Sequence, residues 1–420
     1  MNQVFALVDC NNFYVSCERV FNRRLEEVGV VVLSNNDGCI ISRSNEAKAL
    51  GIGMGVPAFK VRSILENNNV EVFSSNYALY ADMSDRVMQT LSMFTPEMEI
   101  YSIDEAFLNL AGIGDNLTDY GRQIKTTVEK WTGIPVSIGI GSTKTLAKAA
   151  NKIAKRTDDA NIVVDLTDSN DIDKVLESIK VEDVWGVGLK RAAKLRYAGV
   201  ETALGLKNAD TNRIKREFGV VGVRTVYELR GISCYRLAQN PPTKKTIMVS
   251  RSFGRAVDDI EELKEAVACY AARAGQELRE EKTAANFMTL FVMTTHSRPY
   301  RRIFNSDTLG FPTATNYTPE LINYSLNALE RLYRSGTCYK KAGIILSGLV
   351  PENKIQLSLF DEFDRDKSRR LMQTVDYIKN MMPESNLRWA AEGLSQPWQV
   401  KFSRRSHRYT TRWDELPEVA

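Results

Sequence analysis

Three acidic residues sit where the apolar pattern puts a strand end and a turn. Asp9 closes the run Phe5–Asp9, and Asp104-Glu105 belong to a tight turn, Ser102–Glu105, between strand-like segments Glu99–Tyr101 and Ala106–Leu110. Acidic residues are favoured at turns, so either place alone is weak evidence of chemistry. If these strands are neighbours in one sheet, three carboxylates converge, and like charges that close call for a neutralising cation. Hard oxygen donors in a shallow, partly hydrated cluster suit Mg²⁺. Two such ions can clamp the attacking and leaving oxygens of an in-line phosphoryl displacement. The chain has only His296 and His407, so no obvious histidine base presents itself.

The elements that must hold these acids follow from periodicity. Val30–Ser34 reads as another buried strand, and Asn45–Leu50 and Ala58–Leu65 as short helices around the glycine-rich turn Gly51–Pro57. Tyr77–Phe94 has helical spacing through Leu79, Met83, Val87 and Leu91 and stops before Pro96. After the two short strands come helix Asp119–Trp131, strand Val136–Ile140, helix Lys144–Lys155 and strand Ile162–Val164. This order predicts an α+β sheet domain with its helices on one face. Beyond residue 181 the chain turns helical and basic, with glycine-marked turns up to Gly231. A polar stretch with Pro241-Pro242 then leads into a second mixed region. Its strands are expected near Thr246–Phe253, Phe287–Thr294 and Ala342–Leu349, its helices near Asp259–Glu281 and Pro319–Tyr333. A tail rich in Arg and Lys follows Pro351.

Bulk properties narrow the classes. At 420 residues two to four domains are expected. No apolar run approaches the roughly 18 residues of a membrane span, and Asp9 and Glu18 interrupt any signal-peptide pattern. Six scattered cysteines without a close pair, beside only two histidines, argue against a structural zinc site and fit a reducing cytoplasm. Residues 1–180 carry 18 basic against 24 acidic side chains, and the remainder 38 against 28. An acidic front and a basic rear suggest chemistry in one part and a polyanion grip in the other, although a solvated surface has the same signature.

The motifs themselves carry a resemblance. Val8-Asp9-Cys10-Asn11-Asn12-Phe13-Tyr14 and Tyr101-Ser102-Ile103-Asp104-Glu105-Ala106 resemble the two metal-binding motifs of Y-family translesion DNA polymerases. Leu33-Ser34-Asn35-Asn36-Asp37-Gly38, Glu46-Ala47-Lys48-Ala49-Leu50-Gly51 and Ser74-Ser75-Asn76-Tyr77 resemble the UmuC-like branch, which supplies the catalytic subunit of bacterial DNA polymerase V. So do Thr143-Lys144-Thr145-Leu146-Ala147-Lys148, Val249-Ser250-Arg251-Ser252-Phe253-Gly254 and Arg408-Tyr409-Thr410-Thr411-Arg412.

By that resemblance the fold is an α+β, multidomain right hand. The palm covers 1–25 and 76–180, the fingers 26–75, and a small helical thumb with a helix-hairpin-helix 181–238. A linker (239–245), an α/β little finger (246–350) and a tail (351–420) with a clamp-binding motif complete it. The resemblance implies error-prone, DNA-directed synthesis across lesions in the SOS response, in a cytoplasmic protein that is nucleoid-associated when active. Two Mg²⁺ would be held by Asp9, Asp104, Glu105 and the backbone carbonyl of Cys10. Phe13 and Tyr14 would border the nucleotide, Tyr14 as a steric gate whose ring leaves no room for a 2′-hydroxyl. Ser42, Asn45, Lys48 and Lys155 would face the triphosphate. Many relatives have Tyr and Arg at the positions of Asn45 and Lys48, and lysine cannot form arginine's bidentate fork. For Lys144 and Lys148 a solvated helix face is expected.

The Gly139–Thr145 run lacks the glycine a phosphate loop needs before its lysine, and Gly186-Val187-Gly188 lacks a dinucleotide fingerprint's third glycine. Asp183–Lys190 looks instead like a helix-hairpin-helix turn, with Gly186, Gly188, Lys190 and Lys194 offered to DNA phosphates. Gln356-Leu357-Ser358-Leu359-Phe360 resembles the bacterial sliding-clamp motif; its alternative is a short strand finishing the domain before it. Arg404, Arg405, Arg408 and Arg412 could touch DNA or an acidic partner. Expected partners are primer-template DNA, dNTP, the sliding clamp, a processed UmuD-like dimer and the RecA filament, with no membrane. A palm-type nucleotidyl cyclase or a non-catalytic DNA scaffold are the rival readings: a cyclase needs no thumb or clamp peptide, and a scaffold no acidic triplet.

Overall fold

The computed structural model describes residues 3–114, 116–157, 163–167, 169–238, 243–294, 303–360, 364–382 and 387–416. Linker positions 239–242, His296 and Ile162 lie outside the described residues. The chain divides into two units: Met1–Ser34, Gly38–Pro241 and Arg404–Ala420 form the first, Asn35–Asp37 and Pro242–Ser403 the second.

In the first unit, β1 (Phe5–Cys10) leads into α1 (Phe13–Phe21) through Asn12, whose left-handed φ of 49° turns the chain within two residues. Asparagine tolerates that conformation better than most residues. There follow β2 (Val30–Leu33), β3 (Ile40–Arg43), α2 (Asn45–Ala49), α3 (Arg62–Asn67), β4 (Glu71–Ser74), α4 (Tyr77–Ser92), β5 (Met98–Ile100) and β6 (Glu105–Asn109). Next come α5 (Leu117–Thr132), β7 (Val136–Gly141), α6 (Lys144–Ala154) and β8 (Val163–Leu166). The main sheet runs β5-β6-β1-β7-β8, and a smaller one β3-β2-β4. In the main sheet β1 is antiparallel to both neighbours, with Asp9 opposite Glu105 on one side and Ser137 on the other.

Every residue of β1 is buried, so the sheet has no solvated face at its centre. Ala6 and Val8 pack with Leu79, Met83, Ile124 and Val128 from α4 and α5. Phe5 and Leu7 point the other way, to Phe107 and to Ala147 of α6. Helices therefore cover both faces, which corrects the expected one-sided arrangement: an apolar strand with both faces buried needs cover on each. The approach of α6 is unusually close. A Cβ on Gly139 would lie 2.0 Å from the backbone nitrogen of Asn151 and 2.5 Å from the carbonyl oxygen of Ala147. Only glycine permits that contact, and it sets the lysines of α6 beside the sheet's acidic corner.

Helices α7 (Ser169–Ser178), α8 (Leu189–Tyr197), α9 (Ala203–Lys207) and α10 (Thr211–Leu229) complete the helical segment. They close around Leu176, Ile179, Leu195, Leu206 and Val226, with Leu146 of α6 in the same cluster. Buried Glu228 ties α10 to α6, accepting from the backbone N–H groups of Thr145, Cys234 and Tyr235.

In the second unit, β9 (Thr246–Val257), β10 (Thr283–Thr294), β11 (Phe304–Thr315) and β12 (Tyr339–Ser347) form a sheet ordered β11-β10-β12-β9. Helices α11 (Ile260–Glu280) and α12 (Thr318–Leu332) bury Leu263, Val267, Leu321 and Leu329 against it. The short strand β13 (Val350–Pro351) pairs with β10. The tail is not featureless: α13 (Arg365–Met381) buries only Met372 but is fixed by Asp376, which accepts two hydrogen bonds from Arg279 at 2.6 and 2.8 Å. Beyond it, 404–416 belongs to the first unit. The N–H of Ser74 donates to the Arg404 carbonyl at 3.0 Å, and that of Arg404 to Ser74 Oγ at 2.9 Å. Among the described residues no helix is long and apolar enough to cross a membrane.

Candidate active site

Asp9 and Glu105 meet because they are cross-strand partners on the α6 face of the sheet, where opposite side chains stand closest. Asp9 is 4% exposed, and its carboxyl bonds to Glu105 while Lys155 Nζ lies 2.5 Å from Oδ2. Burial is the main reason the Asp9 carboxyl is pushed up to about 7; Lys155 opposes this and Glu105 adds to it. For Glu105 burial again works upward, but the bonds from Asp9 and from Lys148, at 2.8 Å, win and leave it below the ordinary value. Burial and the closeness of the two carboxyls thus oppose ionisation of both at once.

Asp104 occupies the last turn position before β6, and its carbonyl accepts from the N–H of Cys10 at 2.8 Å. Its carboxylate accepts from Ser102 Oγ at 2.6 Å. Among the described residues no three acidic, histidine or cysteine side chains close on one point as a metal-holding group. Asp9 and Glu105 touch, whereas Asp104 is turned towards Ser102. Asp9 nevertheless lies between the other two: it borders a cavity of about 440 Å³ with Asp104 and one of about 340 Å³ with Glu105. Carboxyl oxygens brought together against the cost of burial, with the ammoniums of Lys148 and Lys155 beside them as counter-ions, fit a hard divalent cation. Cys10 is 3% exposed, and burial pushes its thiol far up.

The larger cavity also exposes Asn12, Phe13, Tyr14, Ser42, Arg43, Lys48 and Lys155. Lys48 donates to Asn12 Oδ1 at 2.6 Å and Asn45 Oδ1 at 3.2 Å. Its pKa is lowered, first by burial and then by Arg43 and Lys155, cations gathered at the same cavity. Ser42 is buried and bonds to the Asn12 carbonyl at 3.3 Å. Sequence reasoning missed Arg43, whose strand is only four residues long and not alternately apolar. Tyr14 stacks on Tyr80 with centroids 4.3 Å apart.

Lys144 and Lys148 do not form the solvated face expected of them. Lys144 is 3% exposed and binds Glu99 at 2.5 Å and the Arg236 carbonyl at 2.9 Å. Lys148, besides Glu105, lies 4.4 Å from the Tyr101 ring and 5.8 Å from those of Phe107 and Trp185. Close packing of α6 on Gly139 turns both stems inward, and ion pairs and ring faces compensate for lost water.

The turn at Gly186, with φ of 84°, and Gly188, which caps α8, leaves Lys190 and Lys194 exposed. Gln356–Phe360 forms no strand; Leu357, Leu359 and Phe360 are 60%, 99% and 91% exposed. Among the C-terminal arginines, Arg408 is engaged by Glu415 at 2.5 Å and Arg412 by Asp414 at 3.2 Å.

The fold is that of the Y-family DNA polymerases. A Y-family DNA polymerase chimera of Dbh and Dpo4 matches 83% of this chain and 99% of its own, with a TM-score of 0.66 at 18% identity. The chain belongs to the impB/mucB/samB family, whose model matches residues 8–152 and whose C-terminal domain matches 244–359. A domain of unknown function matches 369–419. Protein UmuC of Salmonella typhimurium is 45% identical over 99% of this chain and 100% of its own length. Protein MucB of Escherichia coli is 39% identical over 99% of both. DNA polymerase IV of Clostridium kluyveri is 26% identical over 90% of this chain and 94% of its own.

Proposed function

We infer that this protein is an error-prone, DNA-directed DNA polymerase that carries out translesion synthesis in the SOS response. It transfers a nucleotidyl group from dNTP to a primer 3′-hydroxyl. The observation that carries this is Asp9, buried and shared between a cation-lined cavity on one side and Glu105 on the other. The five-stranded sheet acts as the palm, the three-stranded sheet as the fingers, the helical segment as the thumb and the second sheet as the little finger.

The polymerase is metal-dependent, and Asp9, Asp104, Glu105 and the Cys10 carbonyl are the groups that would hold two Mg²⁺. When bound, such a group would supply charge stabilisation at the primer hydroxyl and at the leaving pyrophosphate. Lys48, Lys155 and Arg43 take the triphosphate charge, and Ser42 and Asn45 orient Asn12 and Lys48. Arg43 supplies a guanidinium near the place where the Lys48 substitution removes one. Tyr14 closes on the sugar and excludes a 2′-hydroxyl. Gly186, Gly188, Lys190 and Lys194 hold duplex phosphates without reading sequence. The exposed Gln356–Phe360 segment docks the sliding clamp. A processed UmuD-like dimer and the RecA filament complete the active assembly.

The test is extension of a primer across an abasic site by the purified full-length chain with Mg²⁺ and these partners. Extension products dependent on Asp104 support the assignment. Cyclic nucleotide formation, or a DNA mobility shift without extension, overturns it.

A further inference from the structure

The domain of unknown function at 369–419 ends in a segment, 404–416, that lies against α1 and the residue that opens α4, the helices bearing Tyr14 and Tyr80. The contacts form a relay. The Tyr14 ring lies flat on Tyr80, the planes 15° apart. Tyr80 is 0% exposed and its hydroxyl donates to Glu18 Oε1 at 2.6 Å. Glu18, on α1 one turn beyond Tyr14, accepts a second hydrogen bond at the same oxygen, 3.0 Å from Ser406 Oγ. Asn76, the residue before α4, fixes the segment by donating to Ser406 Oγ, the Ser406 carbonyl and the His407 carbonyl at 2.9–3.1 Å. Tyr409 stacks on Phe21, the last residue of α1, at 4.8 Å.

From this relay we propose that 404–416 is a brace for sugar selection, with Ser406, Glu18 and Tyr80 as positioning residues that hold Tyr14. The inference rests on Tyr14 being the sugar gate. A buried carboxylate with two hydroxyl donors loses much of its stabilisation when one is removed, and it then moves or admits water. Tyr80 is held at its hydroxyl by that carboxylate and at its ring by Tyr14, so the displacement passes to Tyr14. Exclusion of a hydroxyl by contact is steep in distance, and a shift well under an ångström relaxes it. A segment that only covered apolar surface would need neither the buried carboxylate nor the triple clasp from Asn76.

The experiment compares kcat/KM for dATP and ATP incorporation on primed DNA by the full-length protein, with Tyr14→Ala as control. Equilibrium binding of dATP and ATP to the protein–DNA complex is read alongside, so that a slow variant still reports. Tyr14→Ala is expected to lose roughly a hundredfold of discrimination. Ser406→Ala and Asn76→Ala are each expected to lose about tenfold, from gained ATP use, while dATP use changes less than about threefold. If Tyr14→Ala discriminates normally, the gate itself is misassigned. If Tyr14→Ala loses discrimination while Ser406→Ala and Asn76→Ala keep it, even with lowered thermal midpoints, the brace is refuted.

Discussion

Asp9 and Glu105 face each other across the ladder of β1 and β6, and each has a lysine of its own. The two lysines are not equivalent. Lys148 is boxed by three aromatic rings, whereas the Lys155 side chain is 40% exposed and borders the larger cavity with Lys48 and Arg43. Lys155 is therefore the one free to leave its carboxylate for an incoming triphosphate. Lys155→Met should raise KM for dNTP about tenfold, the weight of one charge-assisted contact, with unchanged affinity for primer-template DNA. Steady-state kinetics paired with a DNA-binding isotherm checks this.

The seat of α6 on the sheet can be tested through Gly139. An alanine methyl there would overlap the Asn151 backbone, which cannot rotate away as a side chain could. Gly139→Ala should cost about 3 kcal/mol or more and lower the thermal midpoint by several degrees. Gly112→Ala probes a glycine of positive φ with open space, so it meets no such overlap and should cost less.

Glu18 gives a pH signature. Burial is the main reason its carboxyl sits above the ordinary value of 4.5, and the hydroxyls of Tyr80 and Ser406 offset only part of this. A folded-state pKa raised above the unfolded one means the carboxyl's contribution is fully present below about pH 4.5 and falls away as pH rises through the folded value. Glu18→Gln keeps an acceptor for both hydroxyls without the buried charge. Its thermal midpoint should exceed that of the parent at pH 8, with the gap closing towards pH 4.5; a constant gap would contradict this.

Much of this site was legible in the sequence, and what was hidden has a common cause. The strand end at Asp9 and the turn at Asp104-Glu105 were readable because both are local features, and the pairing of β1 with β6 brings Asp9 opposite Glu105. The placing of Tyr14, Lys48 and Lys155 at one cavity with Asp9 and Asp104 agrees with the motif resemblance. The inward turn of Lys144 and Lys148 was not readable, since it depends on Gly139 drawing α6 onto the opposite face. Arg43 was missed on a four-residue strand that borrows its order from β2. The return of 404–416 to α1 and α4 joins residues more than 300 positions apart, which no local pattern encodes. Helix α13 was overlooked because it buries so little.

The exposed peptide at 356–360 makes a prediction about partners. Leu359 and Phe360 touch little in this chain, so Leu359→Ala with Phe360→Ala should leave the thermal midpoint unchanged. Affinity for purified bacterial sliding clamp should fall at least roughly thirtyfold, the weight of a buried hot spot. Surface plasmon resonance with immobilised clamp reads it; unaltered affinity would show the clamp docks elsewhere.

Catalysis by the acidic corner is tested most directly by single-turnover incorporation of one dNTP with Asp104→Asn, an isosteric change that removes charge alone. Loss of transition-state charge stabilisation by a metal-holding carboxylate should slow the chemical step by roughly a thousandfold or more, with DNA affinity within about twofold of the parent. A rate within about tenfold of the parent would mean that Asp104 holds no catalytic metal.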